Sequence, residues 1–323
     1  MYRSLAFLAA VVLTAISITS AGFAAEAPYS LRFDIAPGRS TDSVQLSMRE
    51  DRAGHHNNWS SSFAVAELRG LDPARLRSAG TAPLSFALVR EAGRFDCSGQ
   101  SGGSSARGQC RFTPDHEFAN YLASHRIARP TRDQAYALAM SDVGRGHVEA
   151  LAANRYPTPT IDQLVAMGIH RASPRFIRDL AATGYRLRSA DDLVTFRIHG
   201  VDAAYIRAIT AAGPQLRSLA ADDLVAFRIH GVSPELVGTF SRLGYHQLDR
   251  DDLVAISIHG VTPRFIEELA GLGYRGIPAN DLVQMRIFGV TPDFIRSLDR
   301  GAGRIPVAEL VQMRIMGQHR RTR

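Results

Sequence analysis

The sequence contains no lysine: all 38 of its basic residues are arginine. It has two cysteines and one tryptophan in 323 residues. Two cysteines are too few for a zinc ribbon or a disulfide-dense scaffold. No long apolar run follows about residue 25, which excludes a polytopic membrane protein. No nucleophile elbow, phosphate-binding loop or dinucleotide glycine motif is present. His116-Glu117 opens a metalloprotease-like string, but Asn120 stands where its second histidine belongs. No catalytic residue, cofactor or metal set is therefore expected, and arginine-only usage reads as codon bias.

What is present suffices for a packed core: 45% hydrophobic and 21% charged residues, with a formal net charge of +7. The length fits two domains. Residues 1–24 read as a secretory signal peptide, with Arg3 as the positive end, Leu5–Ile18 as the apolar stretch and Gly22-Phe23-Ala24 before a cut at Ala25. A cut after Ala27 would leave Pro28 at the new terminus and is the poorer match. Left uncut, the segment would be a marginal single anchor, the one expected route to a membrane. Periplasmic or secreted placement follows. It sets nucleic acid aside as a partner and leaves envelope proteins, peptides and anionic envelope polymers. In an oxidising compartment Cys97 and Cys110 are expected to form a disulfide, with two free thiols as the alternative.

Residues 25–127 show period-two alternation at Val44, Leu46 and Met48, and again at Leu84, Phe86 and Leu88. Ser30–Ile35 is a further strand candidate. Phe95–Ser98 and Cys110–Thr113 flank Gly99–Gly108, which reads as a long hairpin loop closed by the two cysteines. Short helices are expected at Asp72–Ser78 and at Pro114–Ser124, the latter with Thr113 as cap. Asp51, His55, His56 and Asn57 cluster before Trp59; His55–Asn58 reads as a polar hairpin tip, with a metal role or hydrolase chemistry around Asp51 and His55 as the rival. Asn58-Trp59-Ser60 is a glycosylation sequon by pattern.

Residues 128–317 form an array, followed by a basic tail at 318–323. DQLVAMGIHRA, DDLVTFRIHGV, DDLVAFRIHGV, DDLVAISIHGV, NDLVQMRIFGV and AELVQMRIMG recur, with leading leucines at 164, 193, 224, 253, 282 and 310. The spacings are 29, 31, 29, 29 and 28 residues, and DQAYALAMSDV is a weaker first copy. Such a period marks a solenoid-type stack. The fold class is therefore α+β: a small β-rich domain followed by an α-solenoid of about 29-residue helical hairpins.

Each unit carries its own start and stop signals. Thr131…Gln134, Thr160…Gln163, Ser189…Asp192 and a looser Asp249…Asp252 read as capping boxes. The first helix is expected to bury Leu193, Phe196 and Ile198 and to stop at Gly200, as its copies do at Gly231, Gly260 and Gly289. Ser233-Pro234, Thr262-Pro263 and Thr291-Pro292 start the second helix, and Gly-Tyr pairs end it. Ala220, Pro278 and Pro306 fill capping positions poorly. Two extra residues near Ala212–Leu219 predict a bend or loosened joint.

Two ladders invite a chemical reading. His170, His199, His230 and His259 recur at the last helical turn. Metal–nitrogen bonds of about 2 Å cannot be shared between units about 8–10 Å apart, so these histidines read as cap residues facing the negative helix end. Arg197, Arg228, Arg286 and Arg314 sit two positions earlier. They could grip carboxylates or phosphates as planar forks, or serve as ordinary last-turn residues; Gly168 and Ser257 interrupt the series. The helix–Gly–Val–helix junction loosely resembles a helix-hairpin-helix DNA motif, but its single glycine and following proline leave few donors for phosphate.

The unit consensus DDLVAxRIHGVTPxFIxELxxLGY resembles the repeats of exported bacterial helical-repeat proteins, and similar arrays are appended to beta-lactam-sensor-type membrane metallopeptidases. The resemblance covers Thr131–Gly317. It implies a bacterial envelope setting and regulation through protein contacts. It carries no peptidase activity, because no His-Glu-x-x-His occurs. Binding through the array is the expected function, with Thr195, Ala226, Ala255, Gln284 and Gln312 on first helices and Arg264, Glu267 and Arg296 on second helices setting specificity. A receptor for an anionic polymer, built on the arginine ladder, is the alternative, and hydrolase activity in the β-rich domain the third.

Overall fold

The computed structural model describes residues 29–50, 58–77, 80–298 and 304–321. The signal segment and Asp51, His55, His56 and Asn57 lie outside them. The fold is α+β, with a seven-stranded antiparallel sheet preceding the helices.

The strands are β1 (Tyr29–Pro37), β2 (Ser43–Glu50), β3 (Asn58–Ala64), β4 (Leu68–Arg69), β5 (Ala82–Arg90), β6 (Gly93–Gly102) and β7 (Ser105–Pro114), in the order β3-β2-β1-β7-β6-β5-β4. Only Val65–Glu67 separate the two edge strands in sequence. Seven flat strands would place those edges about 29 Å apart, whereas four peptide steps reach at most about 14 Å. The sheet must therefore curl. Its inner face collects Leu31, Phe33, Ile35, Leu46, Met48, Phe95 and Phe112, all buried.

Three expectations for this region need correction. Gly99–Gly108 is not a loop: β6 and β7 pair through it, Gly99 facing Gly108, and turn only at Gly103-Ser104. A Cβ on Gly108 would strike the Phe33 ring at 2.7 Å, so glycine here permits close strand approach rather than a loop. Cys97 and Cys110 are directly opposed in that ladder and form the disulfide. The helix after the sheet, α1 (His116–Ser124), is capped by Asp115, which accepts from the Phe118 N–H at 2.7 Å. Thr113 and Pro114 belong to β7, because their pairing with β6 continues to Gly93. Asp72–Ser78 yields only a single 3₁₀ turn at Arg75–Arg77 among the described residues.

Six helical hairpins and a last single helix follow: α2 (Arg132–Met140) with α3 (Arg145–Ala153), α4 (Ile161–Ile169) with α5 (Pro174–Ala181), α6 (Ala190–His199) with α7 (Ala203–Ala211), α8 (Ala221–Ile229) with α9 (Pro234–Arg242), α10 (Arg250–Ile258) with α11 (Pro263–Gly271), α12 (Ala279–Ile287) with α13 (Pro292–Leu298), and α14 (Val307–Arg321). Gly317 does not end α14, which runs on through it. Helices this short are marginal alone, so neighbouring units supply the core.

The stops work as the sequence implies. Gly200, Gly231, Gly260 and Gly289 have φ of 69, 74, 64 and 69°, and the valine after each donates back to Phe196, Phe227, Ile256 or Met285 O at 2.8–2.9 Å. Earlier in the chain Arg126, Asp142, Arg155 and Arg171 take the same left-handed conformation without being glycine. At the starts, the Thr131–Gln134, Thr160–Gln163 and Asp249–Asp252 boxes form, whereas Ala220 and Pro278 offer no side-chain cap. The two extra residues near Ala212–Leu219 do not loosen the joint. They form a 3₁₀ turn at Pro214–Leu216 with Leu216 fully buried, and Gln215 Nε2 donates to Leu248 O at 3.1 Å.

The array is docked on the sheet. Tyr136 of α2 packs its ring 5.8 Å from Phe95 and 5.6 Å from Phe112. Gly144 cannot cap α3 with a side chain, and Glu91, between β5 and β6, accepts from the Arg145 N–H at 3.1 Å instead.

Candidate functional site

The ends of the first helices make one continuous edge of the array, and both predicted ladders lie on it. Arg197, Arg228 and Arg286 donate from Nε to His170, His199 and His259 O, each at 3.3 Å, and Arg314 donates to Gly289 O at 2.8 Å. Ser257, in the same slot, donates from Oγ to His230 O. The last carbonyls of a helix have no partner within it; here the following unit supplies one. Each guanidinium also lies over an aromatic ring of the preceding second helix: Arg197 on Phe176 (5.0 Å), Arg228 on Tyr205 (4.8 Å), Arg286 on Phe265 (5.2 Å) and Arg314 on Phe294 (4.7 Å). The arginines thus join consecutive units, and a partner would meet only what the joint leaves over.

The histidines contribute to this joint through their backbone carbonyls. His170, His230 and His259 are exposed and His199 is half-buried. Among the described residues no group of three or more His, Cys, Asp or Glu is placed to hold a metal ion.

A second joint runs through tyrosines. Tyr185, Tyr245 and Tyr274 donate their hydroxyls to Leu219, Ile277 and Ile305 O at 2.7–2.9 Å, and Tyr205 donates to Val232 O at 2.9 Å. Burial holds the Tyr185 and Tyr205 hydroxyls up to about 12; nearby Asp223 adds to the rise at Tyr185, and Arg228 opposes it at Tyr205. At the opposite edge Gln134 and Gln163 donate to Asp162 and Asp191 of the next unit at 3.3 and 2.7 Å.

Ile198 is not buried. It is 55% exposed, and Ile169, Ile229, Ile258 and Ile287 at the equivalent positions are 47–63% exposed. At 3.6 residues per turn Ile198 lies about 140° around the helix from Leu193, away from the core. The recurrence in RIHG and RIFG was visible in the sequence; the angle was the missing step. Of the expected specificity positions, Thr195, Gln312, Arg264, Glu267 and Arg296 are exposed, while Ala226, Ala255 and Gln284 are half-buried. Arg264 pairs with Glu268 at 2.8 Å, and Arg296 with Asp293.

The isoleucine edge leads into a cleft of about 980 Å³ between the array and the sheet. Five consecutive residues of β3, Trp59–Phe63, form one wall; the ends of α2 and α4, including Met140 and Ile169, form the other. Arg90 bridges the cleft floor, paired with Glu67 at 2.7 Å and Asp142 at 3.1 Å and lying over the Phe63 ring. His147, also lining the cleft, is buried, and burial draws its pKa below the ordinary value against the opposing pull of Asp142. β3 was not legible as a strand, because its centre is three serines. Asn58 of the sequon is exposed at its start.

No helix among the described residues is long and apolar enough to cross a membrane. The buried Cys97–Cys110 disulfide fits an oxidising, extracytoplasmic setting. No protein-family model matches the chain, and no curated protein is matched by it.

Proposed function

We propose that this is an exported, non-enzymatic binding protein of the bacterial envelope, periplasmic or secreted, whose array presents its isoleucine edge to another envelope protein or peptide. The observation that carries this reading is the line of five exposed isoleucines, one per unit. A single exposed isoleucine needs no explanation. Five recurring once per unit along one edge form an apolar series of the kind that marks interaction surfaces. The arginine and tyrosine joints tie neighbouring units to one another, so little ordering remains to be done on binding.

The polymer reading has less to rest on. The Nε atoms of the arginine ladder already hold carbonyls and their planes lie on rings, leaving only the outer guanidinium nitrogens for an anion.

The test is crosslinking and affinity capture from envelope fractions with the full chain and with its Ile198→Asp/Ile229→Asp variant. The expected result is a protein captured by the natural chain and lost by the variant, with melting unchanged. Equal capture by both would overturn the reading. Capture that falls steeply with added salt yet ignores the isoleucine changes would favour the polymer.

A further inference from the structure

The two edges of the sheet are protected very differently. β4 is two residues long and offers almost nothing to pair with. β3 is seven residues long, pairs only with β2 among the described residues, and carries no charge or proline: its sequence is Asn-Trp-Ser-Ser-Ser-Phe-Ala. Soluble proteins blunt such edges with charges, prolines, bulges or a cover. This edge has none of the first two, and it lines the cleft.

The hydrogen-bond phase of β3 follows from its end. Val65 N–H donates to Asp42 O at 2.9 Å. In an antiparallel pair, backbone groups alternate between facing the neighbour and facing away. Phe63, Ser61 and Trp59 therefore face β2, and the N–H and C=O groups of Ser62 and Ser60 face outward. Ala64 N–H, next in that outward series, is already taken by Glu67 Oε1 at 3.1 Å.

From this we infer that the cleft is a strand-addition site: an extended segment of a partner protein pairs with β3 through Ser60 and Ser62 and runs on toward Ile169, the first rung of the isoleucine edge. The far wall is made by the ends of α2 and α4. The segment's chemistry can be stated. Trp59 and Met140, both half-buried in the cleft lining, ask for apolar side chains on the segment. Arg90 is already neutralised by two carboxylates, whereas Arg171, exposed at the array end of the cleft, has no ion pair among the described residues. An acidic residue at that end of the segment is the complement.

The inference rests on the binding reading above and refines it. The probe is a seven-residue synthetic peptide alternating valine and threonine and ending in aspartate, added to the purified full-length protein and followed by amide hydrogen exchange. Binding should slow exchange at Ser60 and Ser62, leave Ser61 unchanged, and weaken at least tenfold in Ser60→Pro. Ser62→Lys, at an exposed position, should weaken it as well. No protection at Ser60 and Ser62, or full binding by both variants, would overturn the site, as would protection that appears only on self-association. The Ile198→Asp/Ile229→Asp variant separates the two readings. Peptide binding kept while partner capture is lost supports both; capture that depends on the isoleucines with no peptide protection keeps the array reading and removes the cleft.

Discussion

The guanidinium of Arg228 lies across Gly200, close enough that a Cβ there would meet Nη2 at 2.8 Å. The same side chain holds His199 O and covers the Tyr205 ring, so one arginine closes a helix end, an aromatic face and a left-handed glycine of the preceding unit.

Two substitutions at this joint have distinct expected costs. Arg228→Ala removes a charge-assisted hydrogen bond and a stacked cation and should destabilise by about 1–2 kcal/mol in urea melts. Arg228→Lys should recover little, since lysine has no planar fork. Gly200→Ala should cost about 1–2 kcal/mol from its positive φ alone, with more added by displacing Arg228. Arg171→Gly should raise stability, because Arg171 already holds a φ of 58° with a Cβ.

Ile198 and Phe196 are two residues apart and should behave oppositely. Phe196→Ala should lose about 3–5 kcal/mol, because Phe196 is 1% exposed. Ile198→Asp should stay within about 0.5 kcal/mol of the natural chain. A large loss at Ile198 in thermal melts would place it in the core after all.

Alkaline pH should unfold the array through its tyrosines. Tyr136, Tyr185 and Tyr205 stand at about 12 in the folded chain against about 10 when unfolded. The folded state thus keeps protons that the unfolded state releases, so stability is intact below pH about 10 and falls as pH rises toward 12. Phenolate absorbance should rise together with loss of helical dichroism. Tyr185→Phe should blunt that fall while losing the Leu219 bond at all pH values.

Reducing the Cys97–Cys110 disulfide should weaken the sheet. The bond closes a separation of 13 residues, worth about 3 kcal/mol by chain entropy. Cys97→Ser/Cys110→Ser should melt lower than the natural chain under oxidising conditions and equally with it under reducing ones.

Legibility in the sequence tracked how local the chemistry was. Gly200-Val201 and Thr160…Gln163 declare a stop and a start because the groups they satisfy lie within six residues. The arginine ladder stayed open between two readings, because the His199 carbonyl that answers Arg228 is 29 residues upstream. The Tyr185 hydroxyl bond to Leu219 spans 34 residues and left no local trace. β3 leaves little trace for another reason: an edge strand touches one neighbour only and needs little apolar alternation, so Ser60-Ser61-Ser62 carry no strand signature. The apolar identity of Ile198 points to the core, although helix geometry alone turns it outward.

The isoleucine edge has a consequence for how tightly anything can hold it. One isoleucine contributes little on its own, but rungs repeated once per unit act as a multivalent array, where each contact after the first is made at high effective concentration. Avidity would then scale with the number of units a ligand spans. A long ligand could tolerate the loss of any one rung, and adding or deleting a 29-residue unit would tune its residence time without altering a single contact chemistry.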